Sequence, residues 1–157
     1  MFDIKNKNVL ITGATSGIGR SAAIKLSSLG ANIFFVARDK DKAQLLVNDI
    51  YKKSEKEAIP IIADLSSQSD IRKAAETFNS YNLPLHVLLN NAGLINKERK
   101  KTIDGYEEVF AINHLAYFLL TTLLIDKLKE GNDSRIVNVS SGAHAFVKGF
   151  NFEDVQS

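Results

Sequence analysis

Thr12-Gly13-Ala14-Thr15-Ser16-Gly17-Ile18-Gly19 is the stretch of this chain best suited to holding a ligand. It follows an apolar run, Val9-Leu10-Ile11, and precedes a helical pattern, so it reads as a strand-to-helix turn. Gly13 lets the chain turn sharply out of the strand. Gly17 and Gly19 let a pyrophosphate approach the backbone where the free N–H groups of a helix point outward. Glycines also serve as plain turn residues, so the turn alone leaves both readings open. No Gly-Lys-Ser/Thr follows at the spacing of a triphosphate-binding loop.

Other chemistries are poorly served. The 157 residues include no cysteine and three scattered histidines, which excludes disulfides and thiol catalysis and offers no metal set. A net charge of +2 with interspersed signs gives no nucleic-acid footprint. The longest apolar run, Leu115 to Ile125, is interrupted by Thr121 and Thr122 and is too short to span a bilayer. The first residues hold no apolar signal core, so a cytoplasmic address is expected. Lys97-Glu98-Arg99-Lys100-Lys101 reads as a solvated loop.

The elements that must position the glycine turn alternate regularly. Strands are expected at Val9–Thr12, Ile33–Val36, Ile59–Ala63, His86–Leu89 and Arg135–Val139. Helices are expected from about Gly17 to Gly30, from Asp41 to Tyr51 with Asp41 as N-cap, and from Ser69 to about Ser80 with Ser69 as N-cap. A long fourth helix should open at Asp104 and end near Gly131. The alternation predicts an α/β, doubly wound Rossmann-type parallel sheet, five strands in order 3-2-1-4-5 with helices on both faces. Pro60 cannot donate a ladder hydrogen bond, which puts the third strand at an edge, as that order requires. Residues 1–157 are read as one dinucleotide-binding domain.

The spacing Gly-x-x-x-Gly-x-Gly resembles the short-chain dehydrogenase/reductase superfamily. Asp64-Leu65 after the third strand, Asn90-Asn91-Ala92-Gly93 after the fourth, Asn113 in the fourth helix and Ser140-Ser141 after the fifth extend the resemblance from about Asn8 to Ser141. The wording of Leu88–Gly93 and Ile136–Ser141 is most similar to the retinol-dehydrogenase-like branch. The resemblance implies an oxidoreductase that interconverts an alcohol and a carbonyl by hydride transfer. It implies cofactor contacts from Gly13, Thr15, Ser16, Gly17, Ile18, Gly19, Asp64, Leu65, Asn91, Ala92 and Gly93, with Asp64 meeting adenine. Ser141, the second of its pair, takes the place of the catalytic serine. Asn113 takes that of the asparagine that kinks its helix and holds a water in a proton relay. Plainer roles exist too: a turn carboxylate for Asp64, a mid-helix amide for Asn113, a strand end for the serines. His114 and His144 are assigned to structure. Arg38 stands where an arginine accommodates the 2′-phosphate of NADP, with Asp39 beside it as the kind of carboxylate that NAD sites use. NADP is the expected cofactor and NAD the alternative.

The family's Tyr-x-x-x-Lys pair does not occur. Tyr51, Tyr81, Tyr106 and Tyr117 all precede the serines, and none has lysine four places on. The resemblance therefore implies a domain C-terminally incomplete after its fifth strand, with that strand a raw edge and the usual family dimer in doubt. Such a chain is expected to be inactive alone, an oxidoreductase by descent, whose substrate would be a small carbonyl or alcohol, lipid-like if the branch is a guide. The competing readings are a dinucleotide-binding fragment without turnover and an interaction protein.

Overall fold

In the computed structural model, which describes residues 2–146, 149 and 151–156, the five apolar runs form one parallel sheet. The strands are β1 (Asn8–Thr12), β2 (Asn32–Ala37), β3 (Ile59–Ile62), β4 (Val87–Asn90) and β5 (Arg135–Asn138). Their order is β3-β2-β1-β4-β5, as the alternation predicts. Pro60 lies in an edge strand that pairs with β2 alone, opposite Phe35, so its missing N–H leaves no gap in the ladder.

β1 is buried at all five positions because both faces of the sheet are covered. Side chains alternate across the strand, so Leu10 joins one core while Val9 and Ile11 join the other. β2 does the same, with Phe34 and Val36 on one face and Ile33 and Phe35 on the opposite one. The helices α1 (Gly17–Ser28) and α2 (Lys40–Ser54) cover the second face, through Ala23, Ala43, Leu46 and Ile50. The chain then crosses back, and right-handed crossovers in the reverse direction place later helices on the other face. There α3 (Gln68–Ser80) supplies Ile71 and Phe78, and Phe78 meets Phe34 edge-on with ring centroids 5.0 Å apart. Full burial of such a ring stabilises the fold by about 1.5–3 kcal/mol.

Three helix starts differ from those expected. Asp39, not Asp41, caps α2, accepting hydrogen bonds from the Asp41 and Lys42 N–H groups at 3.0 Å. Ser67, not Ser69, caps α3. The segment from Asp104 is not helical at its start: residues 101–107 form a small hairpin, closed by an antiparallel bridge between Lys101 and Glu107. Glu107 then caps α4 (Glu108–Phe110), which runs into a π-helical turn (Ala111–Leu115), α5 (Ala116–Leu123) and α6 (Ile125–Glu130). The expected single helix is thus widened by the π turn and broken at Leu124. Among the described residues no helix is long and apolar enough to cross a membrane.

Candidate functional site

Parallel strands deliver their following loops to one end of the sheet, and a crevice opens where the strand order reverses, between β1 and β4. A cleft of about 510 Å³ occupies that place. The turn after β1 contributes Gly13, Thr15, Ser16, Gly17 and Ile18, and the ends of β2 and β3 contribute Arg38, Asp64 and Leu65. The loop after β4 adds Asn91, Ala92 and Gly93. The structure thus gathers every nominated cofactor residue except Gly19.

Gly19 is buried beneath the turn. A methyl group there would collide with the Asn91 side-chain nitrogen and the Gly13 carbonyl oxygen. Gly13 is also pressed from outside: its φ is +66°, and an added Cβ would lie 2.7 Å from the Ala92 Cα. Gly17, at φ +53°, has nothing within 4 Å of such a Cβ. Two glycines therefore let backbone meet backbone, and the one between them faces open space on the cleft.

The helix that begins there is capped differently from its neighbours. Asp39, Ser67 and Glu107 accept hydrogen bonds from the first N–H groups of α2, α3 and α4. Ser16, at the head of α1, makes no such side-chain bond. Among the described residues the leading N–H groups of α1 receive no cap from Ser16 and lie beside an open glycine, an arrangement that fits an anion. Arg38 is exposed at one end of the cleft. Asp39 is drawn away to α2, where the hydrogen bond from the Lys42 N–H holds its carboxyl below the usual carboxylate range against partial desolvation. Asp64 lines the cleft while one carboxylate oxygen accepts from the Ser66 N–H at 2.9 Å.

The floor is stitched by hydrogen bonds that the motifs themselves do not disclose. Thr12 Oγ1 accepts from the N–H groups of Asn91 and Ala92 at 2.9 and 3.0 Å. Asn91 Nδ2 donates in return to the carbonyls of Thr12 (3.0 Å) and Gly13 (3.2 Å). Tyr117, on α5, donates its hydroxyl to the Ala92 carbonyl at 2.7 Å, and burial pushes its phenol pKa up. The only clue to Thr12 is its place as the last residue of β1. Tyr117 carries none, since the partner it touches is 25 residues away.

Asn113 sits in the π turn, and both ends of its amide hold Leu94: Oδ1 accepts from the Leu94 N–H at 3.0 Å and Nδ2 donates to its carbonyl at 2.9 Å. Its observed contacts are those of a clamp on the chain leaving β4. Asn113 also borders a groove of about 610 Å³ between α5 and β5, which Tyr117 and Ser140 share. Ser140, and not Ser141, lines that groove; Ser141 is exposed and its Oγ accepts from the Ala143 N–H at 3.2 Å. His114 packs against the Phe110 ring at 5.2 Å. The His144 side chain lies outside the described residues. Among the described residues no three metal-ligating side chains converge.

The sequence model of the family described as short chain dehydrogenase matches residues 7–152. The chain belongs to that family. It is 40% identical over 153 residues to human polyprenol dehydrogenase, covering 94% of this chain and 46% of that protein. It is 42% identical over 142 residues to human retinol dehydrogenase 11, covering 90% of this chain and 45% of the relative. A short chain dehydrogenase of Escherichia coli CFT073, solved with NADPH, superposes with a TM-score of 0.80 at 26% identity over 91% of this chain and 62% of the other. A short chain dehydrogenase of Shigella flexneri 2a, solved with NADP, gives the same TM-score and identity. The chain spans about half the length of the curated relatives that it matches.

Proposed function

We propose that the cleft binds NADP(H) and serves an oxidoreductase that interconverts an alcohol and a carbonyl, its substrate a small, lipid-like molecule. The observation that carries this reading is the division of labour between Arg38 and Asp39. Arg38 lines the cleft, whereas the carboxylate that would favour a ribose hydroxyl is committed to capping α2. Arginine suits a phosphate because its planar fork offers paired donors. The uncapped head of α1 and the open face of Gly17 would take the pyrophosphate, and Asp64 the adenine end. When bound, the nicotinamide supplies the hydride. Two structures of relatives solved with NADP(H), and relatives that act by name on retinol and polyprenol, support the cofactor and the substrate class.

The 157 residues alone hold the dinucleotide without turning it over, because no tyrosine among them is followed four places later by lysine. A missing general acid removes about 10²–10⁴-fold of rate. Titration calorimetry tests both parts. NADP⁺ is expected to bind, and Arg38→Ala to weaken it roughly 10- to 100-fold while leaving NAD⁺ unchanged, the worth of a charge-assisted hydrogen bond. Equal affinity of the variant for NADP⁺ would sink the cofactor assignment. Carbonyl reduction by the purified chain that Ser141→Ala abolishes would sink the second part.

A further inference from the structure

Among the described residues, the four most exposed large hydrophobic side chains are Phe146 (91%), Ile95 (90%), Ile103 (88%) and Phe152 (82%). All four lie beyond the carboxyl ends of β4 and β5, on two segments tied to each other. Gln156 Oε1 accepts from the Glu107 N–H at 2.9 Å, and the Gln156 carbonyl accepts from Arg99 at 3.4 Å. Single exposed apolar residues are ordinary, but four of them on two segments tied together call for a partner.

The loop after β4 holds its two isoleucines out by construction. Leu94 is clamped by Asn113, Asn96 Nδ2 donates to Glu108 at 2.6 Å, and the Lys100 carbonyl accepts from the Glu108 N–H at 3.0 Å. The hairpin tip is pinned by Asp104, which accepts from the Gln68 N–H at 2.8 Å. Between Ile95 and Ile103 stand Lys97, Arg99, Lys100 and Lys101, all exposed, against one exposed carboxylate, Glu98. The acids on the hairpin's return, Asp104, Glu107 and Glu108, are engaged by N–H donors. The segment after β5 instead carries Glu153 and Asp154 beside Phe152.

We propose that the loop after β4 docks this protein on an anionic lipid surface, with Ile95 and Ile103 entering the headgroup boundary and Lys97, Arg99, Lys100 and Lys101 meeting lipid phosphates. Apolar anchors interleaved with cations are what such an interface takes up. The choice of the β4 loop over the β5 segment rests on charge. The loop starts at Leu94, which lines the dinucleotide cleft, so docking sets the mouth of the site against the membrane. On the proposed redox reading, that is where an apolar alcohol or carbonyl would enter.

Flotation of the purified chain with phosphatidylcholine–phosphatidylserine vesicles tests this, with pure phosphatidylcholine vesicles as the comparison. Binding is expected only to the anionic vesicles and should fall in high salt. Replacing the four cations by glutamine should weaken it on the order of 100-fold or more. The pair Ile95→Ser and Ile103→Ser should weaken it roughly tenfold. Glutamines at Lys52 and Lys53, in the last turn of α2, should change nothing. Because the chain has no tryptophan, Ile103→Trp supplies a single reporter whose emission should shift to the blue on anionic vesicles. An absent shift, or isoleucine variants that float like the parent, would overturn the proposal. Vesicle binding needs no dinucleotide, so calorimetry with NADP⁺ on the same sample separates failure here from failure of the redox reading.

Discussion

The seam between β1 and β4 and the outer strand β5 are held in opposite ways. At the seam, Gly13 packs on the Ala92 backbone and Gly19 beneath the Asn91 side chain, and four hydrogen bonds join Thr12, Gly13, Asn91 and Ala92. β5 pairs with β4, yet all four of its residues are exposed, Ile136 and Val137 among them. The seam is joined by residues of β1, α1 and the loop after β4, which also line the cleft. The β5 margin, which Ser140 and Ser141 extend, offers apolar surface that nothing in the described chain covers. On the proposed reading, the binding half of the site is therefore finished and the reacting half open.

The sharpest way to break that contrast is Gly19→Val. Its side chain would have to displace Asn91 and the Gly13 carbonyl, both fixed, so a loss of about 3 kcal/mol or more is expected in urea denaturation. A variant of undiminished stability that failed only in NADP⁺ binding would put Gly19 back on the cleft surface. Thr12→Val should follow closely. The shape is kept, but two N–H groups lose their acceptor, one of them on buried Ala92, at about 2–3 kcal/mol. Loss of NADP⁺ affinity should accompany it, because the loop after β4 floors the cleft.

These expectations mark what the sequence could not disclose. The strand order was legible, since both-face burial demands unbroken apolar runs and Pro60 demands an edge. Most of the cleft was legible too, because one end of a parallel sheet must receive every following loop. The glycine spacing could not say which glycine packs and which faces the ligand, as all three break the same steric rule. The caps slipped by two residues at Asp39 and Ser67, where similar acceptors crowd the helix start and chain direction decides among them. Asp104 reads as a cap for its own helix and instead holds the first N–H of α3, 36 residues away. Asn113 was expected inside a regular fourth helix, and its clamp on Leu94 depends on a π turn that periodicity does not reveal.

The seam extends to the amino ends of its strands, and acid should probe it there. Asn8 donates its N–H to His86 Nδ1 at 3.0 Å, which requires a neutral ring with that nitrogen bare. Burial, and to a lesser extent Lys7, holds the His86 pKa below its ordinary 6.5. The unfolded chain therefore takes up the proton first, so stability is fully present above pH 6.5 and drains as pH falls toward the depressed folded value. Thermal melts should show this slope in the parent and lose it in His86→Gln. A slope that persists unchanged in the variant would assign the acid sensitivity to other groups.

The smallest effect on stability belongs at the open margin. Val137 is exposed on the outermost strand, so Val137→Lys removes little buried area, and a change within about 0.5 kcal/mol is expected. Its consequence should appear in association instead. An apolar edge with unpaired backbone groups templates strand pairing between molecules, and a lysine there opposes it. Light scattering at rising concentration should therefore show the variant staying monomeric where the parent aggregates. If Val137→Lys cost as much as Thr12→Val, β5 would be packed as firmly as the seam, and the division between a finished and an open half of the site would fail.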